Sequence, residues 1–168
     1  GLLVPRIGSS SRTGSEVEIP FYLNLAPNYD FTFTPNLMSK RGVLWQNQFR
    51  YLTEKNSGRL QLDYLPSDKV TGDDRILGKA YHQTRWQSGW WATLDASNVS
   101  DSNYFEDLGG GIGLTSQTQL EQNLQLEYNG RNWSLLARVQ NFQTIDDSIT
   151  DEQKPYTRAP QLMARGYW

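Results

Sequence analysis

The chain has 168 residues and a mass of 19.3 kDa, the size of one domain-scale segment. Its net charge of −2 and pI near 5.4 exclude the basic field that nucleic-acid binding needs, so we expect no nucleic-acid partner. The lack of cysteine excludes disulfides and thiolate metal sites, and the single histidine, His82, excludes a two-histidine metal site. No uncharged apolar run approaches the roughly 18 residues of a transmembrane helix.

The composition fits two classes of β protein. Hydrophobic residues make up only 37% of the chain, yet aromatic residues reach 12%, with six tryptophans and nine tyrosines. A transmembrane β-barrel has this profile because its strands alternate apolar and polar residues, and a β-rich carbohydrate-binding module can have it too. Strand lengths and connector lengths are therefore needed to separate the two classes.

Period-two alternation recurs along the chain, whereas helical spacing does not. The clearest example is Arg59–Tyr64, where Leu60, Leu62 and Tyr64 share one face and polar residues share the other. Turn signals predict ten strands, at Leu2–Ser9, Ser15–Asn24, Tyr29–Leu37, Val43–Thr53, Arg59–Leu65, Arg75–Trp86, Trp90–Asn98, Leu114–Tyr128, Trp133–Thr144 and Pro160–Trp168.

Strand and connector lengths favour the membrane class. Most predicted strands are near the roughly 9–11 residues that a tilted strand needs to cross a bilayer. The connectors after even-numbered strands are tight, while the later odd-numbered ones are long, at 66–74, 99–113 and 145–159; those at 10–14 and 39–42 are short. Short turns at one rim and long loops at the other are typical of outer-membrane barrels. We therefore predict an all-β fold, an antiparallel transmembrane β-barrel.

Candidate chemical sites are weak. The acidic pairs, among them Glu106-Asp107 and Asp146-Asp147, lack the spacing of a calcium loop. The glycine run at 109–113 lacks the Lys-Ser/Thr of a phosphate loop, and no motif places a serine or carboxylate beside His82. We accordingly predict no catalytic residue, no metal site and no cofactor, so that the protein is not an enzyme.

Tryptophans and prolines occupy informative positions. Five tryptophans lie toward predicted strand ends, where an interfacial girdle would place them, although a sugar-stacking platform is the alternative: Trp45, Trp86, Trp90, Trp91 and Trp133. Pro5 and Pro20 lie in the first two predicted strands, and proline removes a hydrogen bond from a β-ladder. The two prolines mark either a strand end or a deliberately weak seam.

Five stretches resemble the LptD family of LPS-assembly proteins, the outer-membrane barrels of lipopolysaccharide transport. They are Ile19–Asp30, Met38–Gly42, Phe49–Leu52, Leu62–Val70 and Val99–Phe105. Similar positions follow one another in order, so the resemblance covers essentially the whole chain.

The resemblance implies a larger assembly. Family members join a periplasmic jelly-roll, which meets the periplasmic lipopolysaccharide bridge proteins, to a very large barrel that holds a plug lipoprotein. On this basis residues 1–168 form a single segment, about the first ten strands of the larger barrel. The jelly-roll, the remaining strands and the family's disulfide cysteines are absent from it.

The resemblance also implies a site. Pro5 and Pro20 match the prolines that family members carry in the first two strands, where they weaken pairing to the last strand so that a lateral gate can open. We expect a lateral gate at Pro5, Val17, Glu18 and Pro20.

The leading hypothesis is a non-enzymatic translocon that inserts lipopolysaccharide into the outer leaflet of the bacterial outer membrane, in contact with membrane lipids. A small generic outer-membrane barrel or porin is one alternative; its first and last strands would pair, with Trp168 as the terminal aromatic. A soluble β-sandwich that binds carbohydrate is the other.

Overall fold

The structure is a computed structural model that describes residues 1–109, 119–145 and 158–167. A short helix, α1 (Tyr104–Leu108), follows the eighth strand. No helix among these residues is long and apolar enough to cross a membrane. The strands are β1 (Arg6–Ser10), β2 (Gly14–Glu18), β3 (Phe21–Ala26), β4 (Tyr29–Met38), β5 (Gly42–Leu52), β6 (Asn56–Leu65), β7 (Arg75–Arg85), β8 (Trp90–Val99), β9 (Gln119–Asn129), β10 (Trp133–Thr144) and β11 (Arg158–Gly166).

All of these strands belong to one antiparallel sheet, in the spatial order β1-β2-β4-β5-β6-β7-β8-β9-β10-β11. β3 also pairs with β4, because β2 and β3 each take one half of that longer strand. Successive strands pair with each other except β2 and β3, which both pair with β4, and β1 and β11 stand at opposite ends of the sheet.

The prediction of an all-β antiparallel fold is confirmed. The strands predicted at 75–86, 90–98 and 133–144 agree with β7, β8 and β10 to within one residue at each end. The strand predicted at 15–24 is instead divided into β2 and β3, and the one predicted at 2–9 is regular only from Arg6. Leu114 and Trp168, predicted as strand termini, lie outside the described residues.

The register aligns the apolar residues of successive strands on one face of the sheet. Phe31 pairs with Phe49, which pairs in turn with Leu60, and Leu94 pairs with Leu124. The residues between them along each strand are mostly polar and share the opposite face. We call these the apolar face and the polar face. Several large side chains of the apolar face are exposed: Leu23, Leu60, Leu62, Leu124, Leu135 and Val139.

Buried apolar side chains collect at one end of the polar face. Tyr104 and Phe105 of α1 pack against Leu77 and Val99, and Leu108 contacts both this cluster and a second one. The second cluster consists of Met38, Leu44 and Leu65. The helix thus folds back over the polar face at the edge where the longer connectors lie. We call this edge the long-loop rim, and the edge with turns at 27–28, 53–55, 86–89 and 130–132 the short-turn rim.

We expect a lysine to destabilise the protein when it is placed on the apolar face and to have little effect on the polar face. Leu60→Lys places a charge in the middle of the apolar face and should cost about 2–4 kcal/mol of folding free energy in a bilayer. Gln48→Lys, at a similar height on the polar face, should change it by less than about 0.5 kcal/mol. Urea unfolding of the full-length protein in lipid vesicles measures both. Equal losses from the two variants would mean that the apolar face does not contact lipid.

Candidate functional site

The two prolines noted in the sequence lie close together at the β1 end of the sheet. Pro5 directly precedes β1, and Pro20 directly precedes β3. The Leu3 N–H donates to the carbonyl oxygen of Pro20 at 2.8 Å. Pro20 has no N–H with which to return this bond. The Tyr22 N–H donates to the Gly1 carbonyl at 2.8 Å, so this stretch is joined by a short bridge centred on Leu2 and Phe21.

A third proline lies at the same level on the other side. The Ile19 N–H donates to the carbonyl oxygen of Pro35 in β4 at 3.1 Å, and Pro35 likewise cannot donate back. In an antiparallel hydrogen-bonded pair each residue normally both donates and accepts. The segment Ile19–Pro20, which links β2 to β3, therefore lacks one hydrogen bond toward the first strand and one toward β4 at almost the same height. We call Pro5, Pro20 and Pro35 the proline seam.

Val17 and Glu18 lie in β2 beside the proline seam and face opposite ways. Val17 pairs with Ile7 and Leu37 on the apolar face. Glu18 pairs with Arg6, and their carboxylate and guanidinium are 2.5 Å apart on the polar face. The four residues expected at a gate are thus neighbours at the β1 end of the sheet.

The ladders at this end are short. β2 pairs with β4 over only three residues, Glu16–Glu18, whereas β9 and β10 pair over eleven. Because the number of ladder hydrogen bonds grows with the length of pairing, the first strands are held to the sheet more weakly than the later ones.

A buried group of arginines and aspartates lies at the long-loop rim. One oxygen of Asp68 accepts hydrogen bonds from Arg41 at 2.6 Å and from Arg75 at 3.2 Å. Arg75 also makes a two-pronged pair with Asp101, at 2.5 and 2.9 Å, and contacts Asp107 at 2.7 Å. Arg41 reaches Asp107 at 2.9 Å. We call these five residues the rim cluster.

In the rim cluster, hydrogen bonding and charge pairing together change the pKa of Asp68 more than burial does. Asp68 has no exposed surface, and Arg41 and Arg75 are only 4% and 2% exposed. Burial by itself would raise the pKa of Asp68, but hydrogen bonds from the Val70 N–H and the two arginines hold that pKa below its ordinary value of 3.8. Asp68 is therefore ionised at neutral pH, and removing one of its partners would leave a buried charge uncompensated.

The rim cluster is where stretches of the family resemblance meet. Met38–Gly42 supplies Arg41, Leu62–Val70 supplies Asp68, and Val99–Phe105 supplies Asp101. Asp101 and Asp107 are both partners of Arg75, and Asp107 belongs to one of the acidic pairs whose spacing does not suit calcium. No group of three His, Cys, Asp or Glu residues among the described residues could hold a metal. The Asp146-Asp147 pair lies outside those residues.

The polar face offers charged side chains nearer the short-turn rim. Arg50 and Asp30 form a two-pronged pair with both distances at 2.8 Å. Arg59 lies directly across from Arg50 on β6 and is exposed. Together with Tyr22 they line an open groove. This surface suits water and polar groups such as sugars rather than acyl chains.

His82, Trp90 and Trp91 belong neither to the proline seam nor to the rim cluster. His82 shares hydrogen bonds with the hydroxyls of Tyr51 and Thr84, on the side of β7 that continues the apolar face. The ring of Trp90 lies 5.0 Å from that of Tyr128, centroid to centroid and tilted by 43°, on the apolar face, as a girdle residue would. Trp91 lies on the opposite face, with its ring 4.3 Å from the guanidinium of Arg85.

Comparison with known proteins identifies the family. The family model described as "LptD: LPS transport system D" matches residues 73–168. "LPS-assembly protein LptD" of Nitrosococcus oceani is 40% identical over 168 residues, all of this chain and 23% of the relative. The protein of the same name from Nitrosomonas eutropha is 45% identical over 167 residues, which are 96% of this chain and 23% of the relative.

A third relative gives the same result. "LPS-assembly protein LptD" of Aromatoleum aromaticum is 41% identical over 164 residues, 97% of this chain and 20% of the relative. The chain thus spans about a fifth of the length of the relatives it matches. The resemblance noted in the sequence is confirmed, and this chain belongs to the LptD family of LPS-assembly proteins.

Proposed function

We propose that this chain forms part of the wall of an outer-membrane β-barrel that inserts lipopolysaccharide into the outer leaflet. The glycolipid leaves through a lateral gate at the first strands, and no covalent chemistry is needed. The relatives are named for LPS assembly, which supports this choice of substrate. The surrounding membrane lipids, a plug lipoprotein and periplasmic bridge proteins are the further partners of this proposal.

The proline seam is the observation that carries the proposal. A closed barrel in lipid satisfies its backbone polar groups by pairing, and each group left unsatisfied costs several kcal/mol, which opposes opening. Proline removes the N–H at Pro5, Pro20 and Pro35, so fewer bonds have to break when the first strands separate from their neighbours. The two faces of the sheet match an amphipathic substrate: sugars fit the polar face, and acyl chains fit the bilayer outside the apolar face.

The fold also bears on the alternatives. A complete small barrel would pair its first and last strands, whereas β1 and β11 lie at opposite ends of the sheet in the described residues. A soluble sandwich would bury its apolar residues between two sheets, whereas here one sheet leaves Leu60 and Leu124 exposed. Both observations support the translocon over the alternatives.

Photo-crosslinking in the full-length protein in living cells tests the proposal. Probes at Val17, Glu18 and Gln125 sample the seam and the polar face, and a probe at Tyr128 samples the apolar face as a control. We expect lipopolysaccharide adducts at the first three positions that disappear when active transport is blocked. Adducts at Tyr128 alone would contradict the proposal and leave an ordinary barrel wall.

A further inference from the structure

The turn between β1 and β2 is fastened to the neighbouring turn through three successive carbonyl groups. The Lys40 N–H donates to the carbonyl of Thr13 at 3.1 Å, and the Lys40 ammonium donates to that of Ser11 at 2.8 Å. Arg41 Nε donates to the carbonyl of Arg12 at 3.1 Å. The main chain of the β1–β2 turn is thus held along its whole length by two adjacent residues of the β4–β5 turn.

The side chain of Arg12 adds a second attachment, to α1. Its guanidinium donates to the main-chain carbonyl of Glu106 at 2.6 Å, pairs with the Glu106 carboxylate, and lies 4.0 Å from Asp107. The two partners are 94 residues apart in the chain. The tip of the first hairpin is therefore joined to α1, which folds over the polar face.

Arg41 connects both attachments to the rim cluster. It is 4% exposed, and its guanidinium is held by Asp68 and Asp107 while its Nε holds the Arg12 carbonyl. Each nitrogen of the buried Arg41 guanidinium has a partner, so Arg41 would lose charged partners if it moved together with the hairpin. Arg41 thus joins the hairpin tip to the buried aspartates of the rim cluster.

The other end of the same hairpin has much less to hold it. On the short-turn side of the proline seam, the first strand is joined to the segment after Pro20 by a short main-chain bridge. The Leu3 N–H donates to the Pro20 carbonyl and the Tyr22 N–H donates to the Gly1 carbonyl, both at 2.8 Å, on either side of the Leu2–Phe21 bridge. Val4 is 84% exposed in this stretch. The hairpin is thus held by charged side chains at the long-loop rim and by a short main-chain bridge beyond the prolines.

We propose that Lys40, Arg41 and the Arg12–α1 contact form a clamp that keeps the outer end of the gate closed at rest. Opening then starts on the short-turn side of the proline seam, and release of the Arg12 contact is a separate, later step. This inference rests on the proposed function only where it speaks of a gate. The clamp itself concerns the mobility of the β1–β2 hairpin. Arg41 acts as a positioning residue.

Hydrogen–deuterium exchange of the full-length protein in lipid nanodiscs, without lipopolysaccharide, tests the clamp. In the wild type we expect the amides of Ser39 and Lys40, which bond to the β1–β2 hairpin, to exchange more slowly than that of Leu3. The double variant Arg12→Ala/Lys40→Ala should speed exchange at Ser39 and position 40 about tenfold, since it removes two charged contacts of modest strength.

Arg131→Ala is the matched control, because Arg131 is an exposed arginine in a turn at the short-turn rim. It should leave exchange at Ser39 and Lys40 unchanged, and unchanged exchange in β6 and β7 shows that the double variant is folded. Equal wild-type rates at both ends of the hairpin, or no acceleration in the double variant, would overturn the clamp. If the crosslinking test fails while exchange behaves as expected, the clamp stands and the gate proposal fails.

Discussion

The double variant Pro5→Ala/Pro20→Ala is expected to slow lipopolysaccharide insertion by about thirtyfold. Each alanine returns an N–H to the seam. The N–H at position 20 lies opposite Leu3, whose own N–H already donates to the Pro20 carbonyl, and we expect the N–H at position 5 to pair with a neighbouring strand. Each restored hydrogen bond adds about 1 kcal/mol to the closed state. Two such bonds lower the open population by about thirtyfold, since 1.4 kcal/mol corresponds to a factor of ten.

The rate of insertion into proteoliposomes by the reconstituted full-length machine measures this effect. Pro66→Ala is the control, because Pro66 is exposed in a connector away from the seam. Pro35→Ala tests the side of Ile19 that faces β4 on its own, because this variant can restore only the hydrogen bond between Ile19 and β4. It should therefore slow insertion less than the double variant. Equal rates for the double variant and Pro66→Ala would show that the proline seam does not limit opening.

The strands could be predicted from the sequence because polarity alternation fixes face and register together. Sliding a strand by one residue would turn its whole apolar set toward the polar face, so the pattern at Arg59–Tyr64 allows few registers. β10 begins and ends at the predicted residues, Trp133 and Thr144, because a tight turn and a long connector bound it. Sequence patterns therefore predict the strands, because the environment of each strand residue depends mainly on its neighbours in the chain.

The site could be predicted only in part. Pro5 and Pro20 stand out in the sequence as prolines inside strand patterns. Pro35 carries the same signal within the predicted strand 29–37, but only the fold places it beside them. The rim cluster had no local signal at all. Arg41 and Asp68 are 27 residues apart, and only the folded register of several strands brings their connectors together. The pairing of charges across connectors is a tertiary property, so residue spacing does not reveal it.

Replacing Asp68 with alanine is expected to cost about 3 kcal/mol of folding free energy. Asp68 is the only residue of the rim cluster with no exposed surface, and one of its oxygens is shared by Arg41 and Arg75. Its loss leaves two buried guanidinium groups short of a partner, the situation in which breaking a buried ion pair costs about 3–5 kcal/mol. We take the lower value because Asp101 and Asp107 remain.

Urea unfolding of the full-length protein in detergent micelles measures this loss. Asp73→Ala is the matched control, because Asp73 is an exposed aspartate of the same connector, and it should change stability by less than about 0.5 kcal/mol. A similar loss in both variants would mean that the connector as a whole, rather than the buried charge, supplies the stability.

The pH dependence separates the Asp68 carboxylate from simple packing. Because the pKa of Asp68 lies below 3.8 in the folded state, folding favours the ionised form. Its contribution is complete above the ordinary carboxyl value of 3.8 and is lost as the pH falls through the lower folded-state value. The wild type should therefore lose stability more steeply than Asp68→Ala in this acidic range, and the two curves should converge at its lower end. Parallel curves would show that the Asp68 side chain stabilises the rim by packing, and the ionic account of the rim cluster would be wrong.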